Sequence, residues 1–391
     1  MVRDRKRHPR AGRLAFHGCL LALLSAISTG CPPVTSTTDG TSVATDGNTG
    51  LDPKQFPNQR IAGEPNNSFD TALTIILDSQ GIGKLEGTIS PADDVDVYSL
   101  GQMLAGDRVI VDVGTDNDGL DADIAIFDGG GRLVAENDDR NYDLQQLDPF
   151  LNHVIRQDSL IYYVAIASSP ANPTTGAYHI NLTVTRDGTV PAPSGQIVAL
   201  DFDGGSIQIN GQVQAVGPFD TANISASYAG MTGQVRNQIR ATVLQNYDGL
   251  NLDVRTVPGD PVPGGCTVST ILFGGRSSSS FGISQDVDPY NQNHCDGAII
   301  HTEAFTPAIF GRVLTAQELG TAIGNVASHE LGHLLGLNHT ADVNDLMDTT
   351  GAATTLLRDQ EFLDAPLDSS IFPIGTQDSL LLLVETLGTA P

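Results

Sequence analysis

Basic residues are scarce in this sequence. Its 391 residues hold 20 lysines and arginines against 46 aspartates and glutamates, a formal net charge of −26. Nucleic-acid binding needs a basic footprint to neutralise phosphates, and this balance excludes it. The shortage deepens along the chain, because Arg3, Arg5, Lys6, Arg7, Arg10 and Arg13 all lie at the start. Without residues 1–31 the count is 14 basic against 45 acidic, a surplus that keeps a protein soluble outside the cell. Glutamate is also rare, at eight residues, so the excess is aspartate, a residue of turns more than of helices. No stretch fits the twelve-residue calcium loop that ends in glutamate. Of four cysteines only Cys266 and Cys295 fall in the folded part, enough for one disulfide, which an oxidising compartment would form. The apolar run inside residues 1–31 is too short for a membrane-spanning helix.

What is present divides the chain into segments. A hydrophobic content of 40% over this length supports two or three domains with their own cores. Residues 1–31 join the basic head to Leu20-Leu21-Ala22-Leu23-Leu24 and then to small residues, the pattern of an export signal. Ser28-Thr29-Gly30-Cys31 resembles a bacterial lipoprotein cleavage box, with Ser28 where leucine is usual. Cys31 is the candidate lipid attachment point, giving membrane attachment at the cell surface; ordinary cleavage and free secretion is the alternative. Residues 32–58 are Thr, Ser, Asp, Gly and Pro, which bury no core and read as a flexible tether.

Residues 59–187 change to short alternating runs. Val95–Leu100, Arg108–Val113, Asp123–Phe127, Leu160–Ile166 and Tyr178–Val184 read as strands, with a hairpin turn at Asp128-Gly-Gly-Gly131. Strands at this spacing with almost no helical period predict an all-β sandwich. Asp93, Asp94, Asp116, Asp118, Asp121 and Asp123 are candidates for a structural Ca2+ site, with solvated turns as the simpler expectation. Residues 188–195 are a proline- and glycine-rich linker.

Residues 196–391 alternate strand and helix. Ile197–Asp201, Leu252–Val257, Val268–Phe273 and Gly297–Glu303 read as strands, and Met231, Val235, Ile239 and Val243 as a helical stripe. Thr315-Ala-Gln-Glu318 is a capping box, followed by Leu319, Ile323 and Val326 as the buried face of a long helix. Asp378–Leu387 predicts a final helix.

That long helix carries His329-Glu-Leu-Gly-His333-Leu-Leu-Gly-Leu-Asn-His339. Residues four apart lie one turn apart on the same face, so His329 and His333 can aim at one ion. Gly336 permits the left-handed backbone that ends a helix, and the turn brings His339 round as a third ligand. Three protein ligands leave the fourth position for water, the pattern of a catalytic zinc site. Glu330 is placed to take a proton from water as general base. A surface helix that merely carries histidines would have to meet five positions at once.

Met347 stands eight residues after His339, in Asn344-Asp-Leu-Met-Asp348. Together with Thr340 and Asp342, this motif resembles the metzincin clan of zinc endopeptidases, and its matrixin branch in particular. The resemblance implies an α/β (α+β) catalytic domain over roughly residues 195–391, zinc on His329, His333 and His339, Glu330 as general base, and Met347 as the methionine turn below the metal. It departs from the family in Thr349, where some members carry tyrosine, and in the proline missing after Met347. No Pro-Arg-Cys-Gly segment is present, so a cysteine holding the zinc latent is not indicated. His294 and His301 lack the companions of a second zinc site and read as a loop and a strand histidine.

The preceding strands resemble the bacterial pre-peptidase C-terminal domain. The likeness rests on Glu64-Pro-Asn-Asn-Ser68, Asp93-Asp-Val-Asp-Val-Tyr98, Leu120-Asp-Ala-Asp-Ile124 and Thr175-Gly-Ala-Tyr178. In that family the module usually follows the protease; here it precedes it. The combined expectation is a monomeric zinc metalloendopeptidase acting on proteins or peptides, with an edge strand near Ile299 to Glu303 to receive them. The competing expectation is a surface binding or adhesion protein whose zinc site does no catalysis.

Overall fold

The structure, a computed structural model, describes residues 63–115, 119–141 and 144–391. The export signal, Cys31, the tether, Asp116 and Asp118 lie outside them. The chain is multidomain, an all-β sandwich followed by an α/β unit.

The sandwich uses nine strands: β1 (Leu73–Thr74), β2 (Ile82–Ile89), β3 (Val95–Met103), β4 (Arg108–Thr115), β5 (Ala122–Phe127), β6 (Leu133–Asn137), β7 (Phe150–Val154), β8 (Ser159–Ser168) and β9 (Gly176–Thr185). They form two sheets, ordered β1-β3-β8-β5-β6 and β2-β9-β4-β7. In β4 and β9 alternate residues Val109, Val111, Val113, Ile180, Leu182 and Val184 point into the core between the sheets. Alternation is the mark of a sheet wetted on one face. β5 lacks it, and all six of its residues are buried. The reason is a second covering: Ile124 and Ile126 face the other sheet, while Ala125 and Phe127 face Leu367, Ile371 and Phe372 of the α/β unit.

Asp93 is an exposed turn residue, as expected, but not all of its acidic companions are. Asp94 and Asp123 are buried, so that expectation is corrected for both. Asp94 accepts from Asn67 Nδ2 and from the backbone of Ser90, and so ties the turn before β3. Carboxylates of Glu64, Asp94 and Asp96 lie together.

The α/β unit contains β10 (Gln196–Asp201), β11 (Gly205–Ile209), β12 (Gln212–Val216), α1 (Thr221–Ile224), α2 (Thr232–Asn246), β13 (Leu252–Val257), β14 (Val268–Phe273), β15 (Gly282–Ser284), β16 (Gly297–Ile300), α3 (Pro307–Phe310), α4 (Ala316–Leu334), β17 (Asp364–Pro366), β18 (Thr376–Asp378) and α5 (Ser379–Leu387). Its main sheet runs β13-β10-β14-β16-β15, parallel except for β15. α2 and α4 share one core with that sheet, through Val235, Ile239 and Val243 on one helix and Leu319, Ile323 and Val326 on the other. Thr315 and Glu318 cap α4 reciprocally: Glu318 N donates to Thr315 Oγ1 at 3.2 Å, and Thr315 N to Glu318 Oε2 at 2.9 Å. Cys266 and Cys295 form a disulfide across the loops flanking β14 and β16.

The edge strand differs from expectation. Ile299 and Ile300 are paired on both sides, by β14 and by β15, and Thr302–Ala304 is a 3-10 turn. The edge strand on this side of the sheet is β15, three residues inside a serine- and glycine-rich stretch that offers no alternating pattern to read.

Asp296 enters β16 buried at 4% exposure, with Oδ1 accepting from Ser269 Oγ at 2.6 Å and Oδ2 meeting no donor. Burial, with Asp288 and Asp286 nearby, pushes its carboxyl up to about 7. A carboxyl whose folded pKa exceeds its unfolded value stabilises most below the unfolded pKa, near 4, and loses that contribution as pH rises through about 7. Asp296→Asn is therefore expected to gain stability over the parent between pH 5 and pH 8, by roughly 2–4 kcal/mol. Thermal unfolding with chelator present checks this, and an advantage that does not grow with pH would refute it.

Candidate metal centre

The buried half of α4 ends in the site. His329 and His333 sit one turn apart on it, and Glu330 between them is fully buried. The helix stops as the sequence requires. Gly336 has φ +96°, its N–H donates to His333 O at 2.9 Å, and Leu337 N–H reaches back to Gly332 O at 2.9 Å. This paired closure needs a residue in the left-handed region. A side chain there would also strike Tyr290 N at 2.8 Å and Asp288 O at 2.9 Å, so only glycine fits. The chain then reverses and delivers His339.

Hydrogen bonding decides which nitrogens remain for a metal. His329 Nδ1 lies 2.8 Å from Leu346 O and His333 Nδ1 2.7 Å from Leu337 O. A carbonyl only accepts, so each Nδ1 carries the proton and each Nε2 is a bare lone pair. The His333 Nε2 atom is 3.2 Å from His329 Nε2 and 3.0 Å from His339 Nε2. Zinc–nitrogen bonds of about 2.0–2.1 Å in a tetrahedron put ligand nitrogens about 3.4 Å apart. The donor set therefore fits zinc, and carbonyls on the far nitrogens are the usual way such rings are held. Burial also pushes the His329 imidazole down to about 4, keeping it in the neutral form that ligates.

Met347 lies fully buried against the same helix, its Sδ where a side chain at Gly332 would come within 2.6 Å. The turn around it is tied to the third histidine: Thr340 N donates to Met347 O at 3.0 Å and Thr340 Oγ1 to Asp345 Oδ2 at 2.9 Å. Asp345 also accepts from Met347 N at 3.2 Å, and burial pushes its carboxyl up to about 6. In place of the missing proline, Asp348 builds the next turn by accepting from Thr350 N and Gly351 N at 2.9 and 2.7 Å.

Glu330 faces the edge strand. A Cβ on Gly282 would stand 2.5 Å from Glu330 Oε1, so the carboxylate rests against the main chain of β15. His294 and His301 are not part of this site. His294 Nδ1 lies 2.7 Å from Gln196 Oε1 and His301 Nδ1 3.3 Å from Ser280 Oγ, and among the described residues neither joins a ligand cluster. Sequence reasoning missed Gly282, Asp345 and the residues that hold the His339 loop from behind, Gln377 and Asp368 among them. Asp345 lay inside the methionine motif and could have been flagged; Gly282 carried no signal.

Residues 277–360, which span this site, match the matrixin family. No curated protein matches the chain. Among solved structures, it is similar to the archaemetzincin of Methanopyrus kandleri at 14% identity over 43% of this chain and 87% of that one, with a TM-score of 0.25. A zinc-dependent peptidase from Methanocorpusculum labreanum is similar at 13% identity, over 42% of this chain and 93% of its own, with a TM-score of 0.25. The pre-peptidase C-terminal domain of a Bacillus anthracis collagenase is similar at 14% identity over 31% of this chain and 100% of its own, with a TM-score of 0.23. The matched residues contain the whole histidine triad, and the two findings together support a zinc metallopeptidase of the matrixin kind.

Proposed function

We propose that the chain is a zinc-dependent endopeptidase acting outside the cytoplasm, with His329, His333 and His339 holding the ion and Glu330 as general base. The observation that carries it is the convergence of three Nε2 atoms, two of them fixed by carbonyls, beside a buried glutamate that touches an unpaired strand edge. Zinc, when bound, supplies Lewis-acid chemistry that activates water and polarises a carbonyl. The chain's own residues do the rest. β15 offers its free main-chain groups to an extended peptide, which adds as one more strand and sets the scissile carbonyl beside Glu330. Glu330 takes the proton of the attacking water and returns it to the leaving amine. Burial of Glu330 and Met347 keeps bulk water from the rear of the site. Among the described residues no helix is long and apolar enough to cross a membrane. The basic and apolar pattern of residues 1–31 and the Cys266–Cys295 disulfide support export. Cys31 is read as the point of attachment if a lipid is added.

The test is cleavage of an unstructured protein such as casein. Activity is expected to vanish with a zinc chelator and to return with added zinc. One bound zinc with no cleavage of any peptide or protein would favour the binding-protein reading instead.

A further inference from the structure

Residues 364–378 form a strap, β17 and β18 with the loop between them, that grips two parts of the molecule at once. On one side it holds the backbone around His339. Asp368 N donates to His339 O at 3.0 Å, and Ala341 N donates to Pro366 O at 2.8 Å. Gln377 is fully buried and clamps Asn338 from both directions, its Oε1 accepting from Asn338 N and its Nε2 donating to Asn338 O, each at 2.8 Å. Thr349 Oγ1 adds a bond to Asp368 Oδ2 at 3.3 Å.

On the other side the strap is plugged into the β-sandwich. Leu367, Ile371 and Phe372 complete an apolar cluster with Val95, Val97 and Phe127 on the outer face of the β1-β3-β8-β5-β6 sheet. Phe372 is fully buried and meets the Phe127 ring edge-on, with centroids 5.6 Å apart. Thr376 N donates to Gly131 O at 2.9 Å, and Arg132 Nε reaches Asp364 Oδ2 at 2.7 Å. Without the sandwich those three apolar side chains would face water, which disfavours the docked position of the strap.

We propose that the β-sandwich is a positioning element of the metal centre: by docking the strap it fixes the loop that presents His339, and so raises the affinity of the site for zinc. The inference rests on His339 being a ligand. His329 and His333 stand on a helix anchored in its own core and need no such help. His339 stands on a loop, and a loosened loop spends part of the binding energy on its own ordering. Loss of a partner that orients a ligand typically costs about 10–100-fold in metal affinity.

The experiment measures zinc affinity of the whole chain by competition with a chromophoric chelator, and the visible spectrum of the cobalt-substituted protein. Phe372→Ala is expected to weaken zinc binding by roughly 10–100-fold and to alter the cobalt bands. Phe372→Leu, which refills the space, restores both to within about threefold. Leu182→Ala, in the core between the two sheets and away from the strap, lowers the unfolding temperature but leaves affinity and spectrum unchanged. Should Phe372→Ala fail to fold, Arg132→Ala loosens the same junction from the surface and moves affinity in the same direction. A folded Phe372→Ala or Arg132→Ala with parental affinity and spectrum overturns the proposal, as does an equal loss in Leu182→Ala. Failure of the parent chain to bind one zinc is a different result, and refutes the ligand assignment instead.

Discussion

Glu330→Gln is expected to keep one zinc and to lose turnover by roughly 10²–10⁴-fold in kcat, the usual worth of a positioned proton-transfer group. Glutamine has nearly the same shape, so the buried slot on α4 stays filled and His329 and His333 keep their carbonyl partners. What goes is the ability to accept a proton, and with it both the activation of water and the protonation of the departing amine. KM is expected to change little, because in the proposed mechanism the strand edge holds the peptide and the carboxylate does not. Metal analysis and steady-state kinetics on one preparation decide the matter. Unchanged kcat with zinc bound would remove Glu330 from the reaction.

The second large effect is expected from a residue with no functional group at all. Gly282→Ala would place a methyl 2.5 Å from Glu330 Oε1, 2.7 Å from its Cγ and 2.9 Å from its Cδ. Neither backbone can yield cheaply. β15 is locked to β16 through Gly282↔Ile300, Ile283↔Ile299 and Ser284↔Ala298, and α4 is buried along its last two turns. The carboxylate is the mobile part and will be pushed off its position. A displacement of about 1 Å at a reacting group costs on the order of 10²-fold. The variant should therefore resemble Glu330→Gln in keeping zinc while losing kcat. A kcat within threefold of the parent would mean the contact relaxes without consequence.

How far the molecule could be read from its residues depends on where each signal resides. The histidine spacing is a covalent fact, and helix geometry turns it directly into convergence, so the site was legible down to Gly336. Helix α2 and strands β4 and β9 were legible because one face is buried and the other wet, and β5 and β14 because they are short apolar runs between turns. β15 was not, since a three-residue strand has no period. The hairpin β11–β12 went unread although Asn210-Gly211, with φ of +50° and +70°, is the two-residue turn that such hairpins favour. The strap was invisible for a different reason. Leu367, Ile371 and Phe372 look like scattered apolar loop residues until the outer face of β5 is known to lie against them. Long-range packing of that kind leaves no local trace.

The junction also fixes an order of events. The sandwich is made first on the ribosome, and its strands can pair without help from the C-terminal unit. Its outer face, with Phe127 at the centre, must wait for Leu367, Ile371 and Phe372, which are translated well after it. Until they arrive, a sheet face of the finished sandwich stays uncovered and the His339 loop has nothing to lean on. A nascent chain of this design completes the His339 loop only once residues 364–378 have emerged, so the geometry proposed to hold the metal comes after the sandwich and after α4 in time.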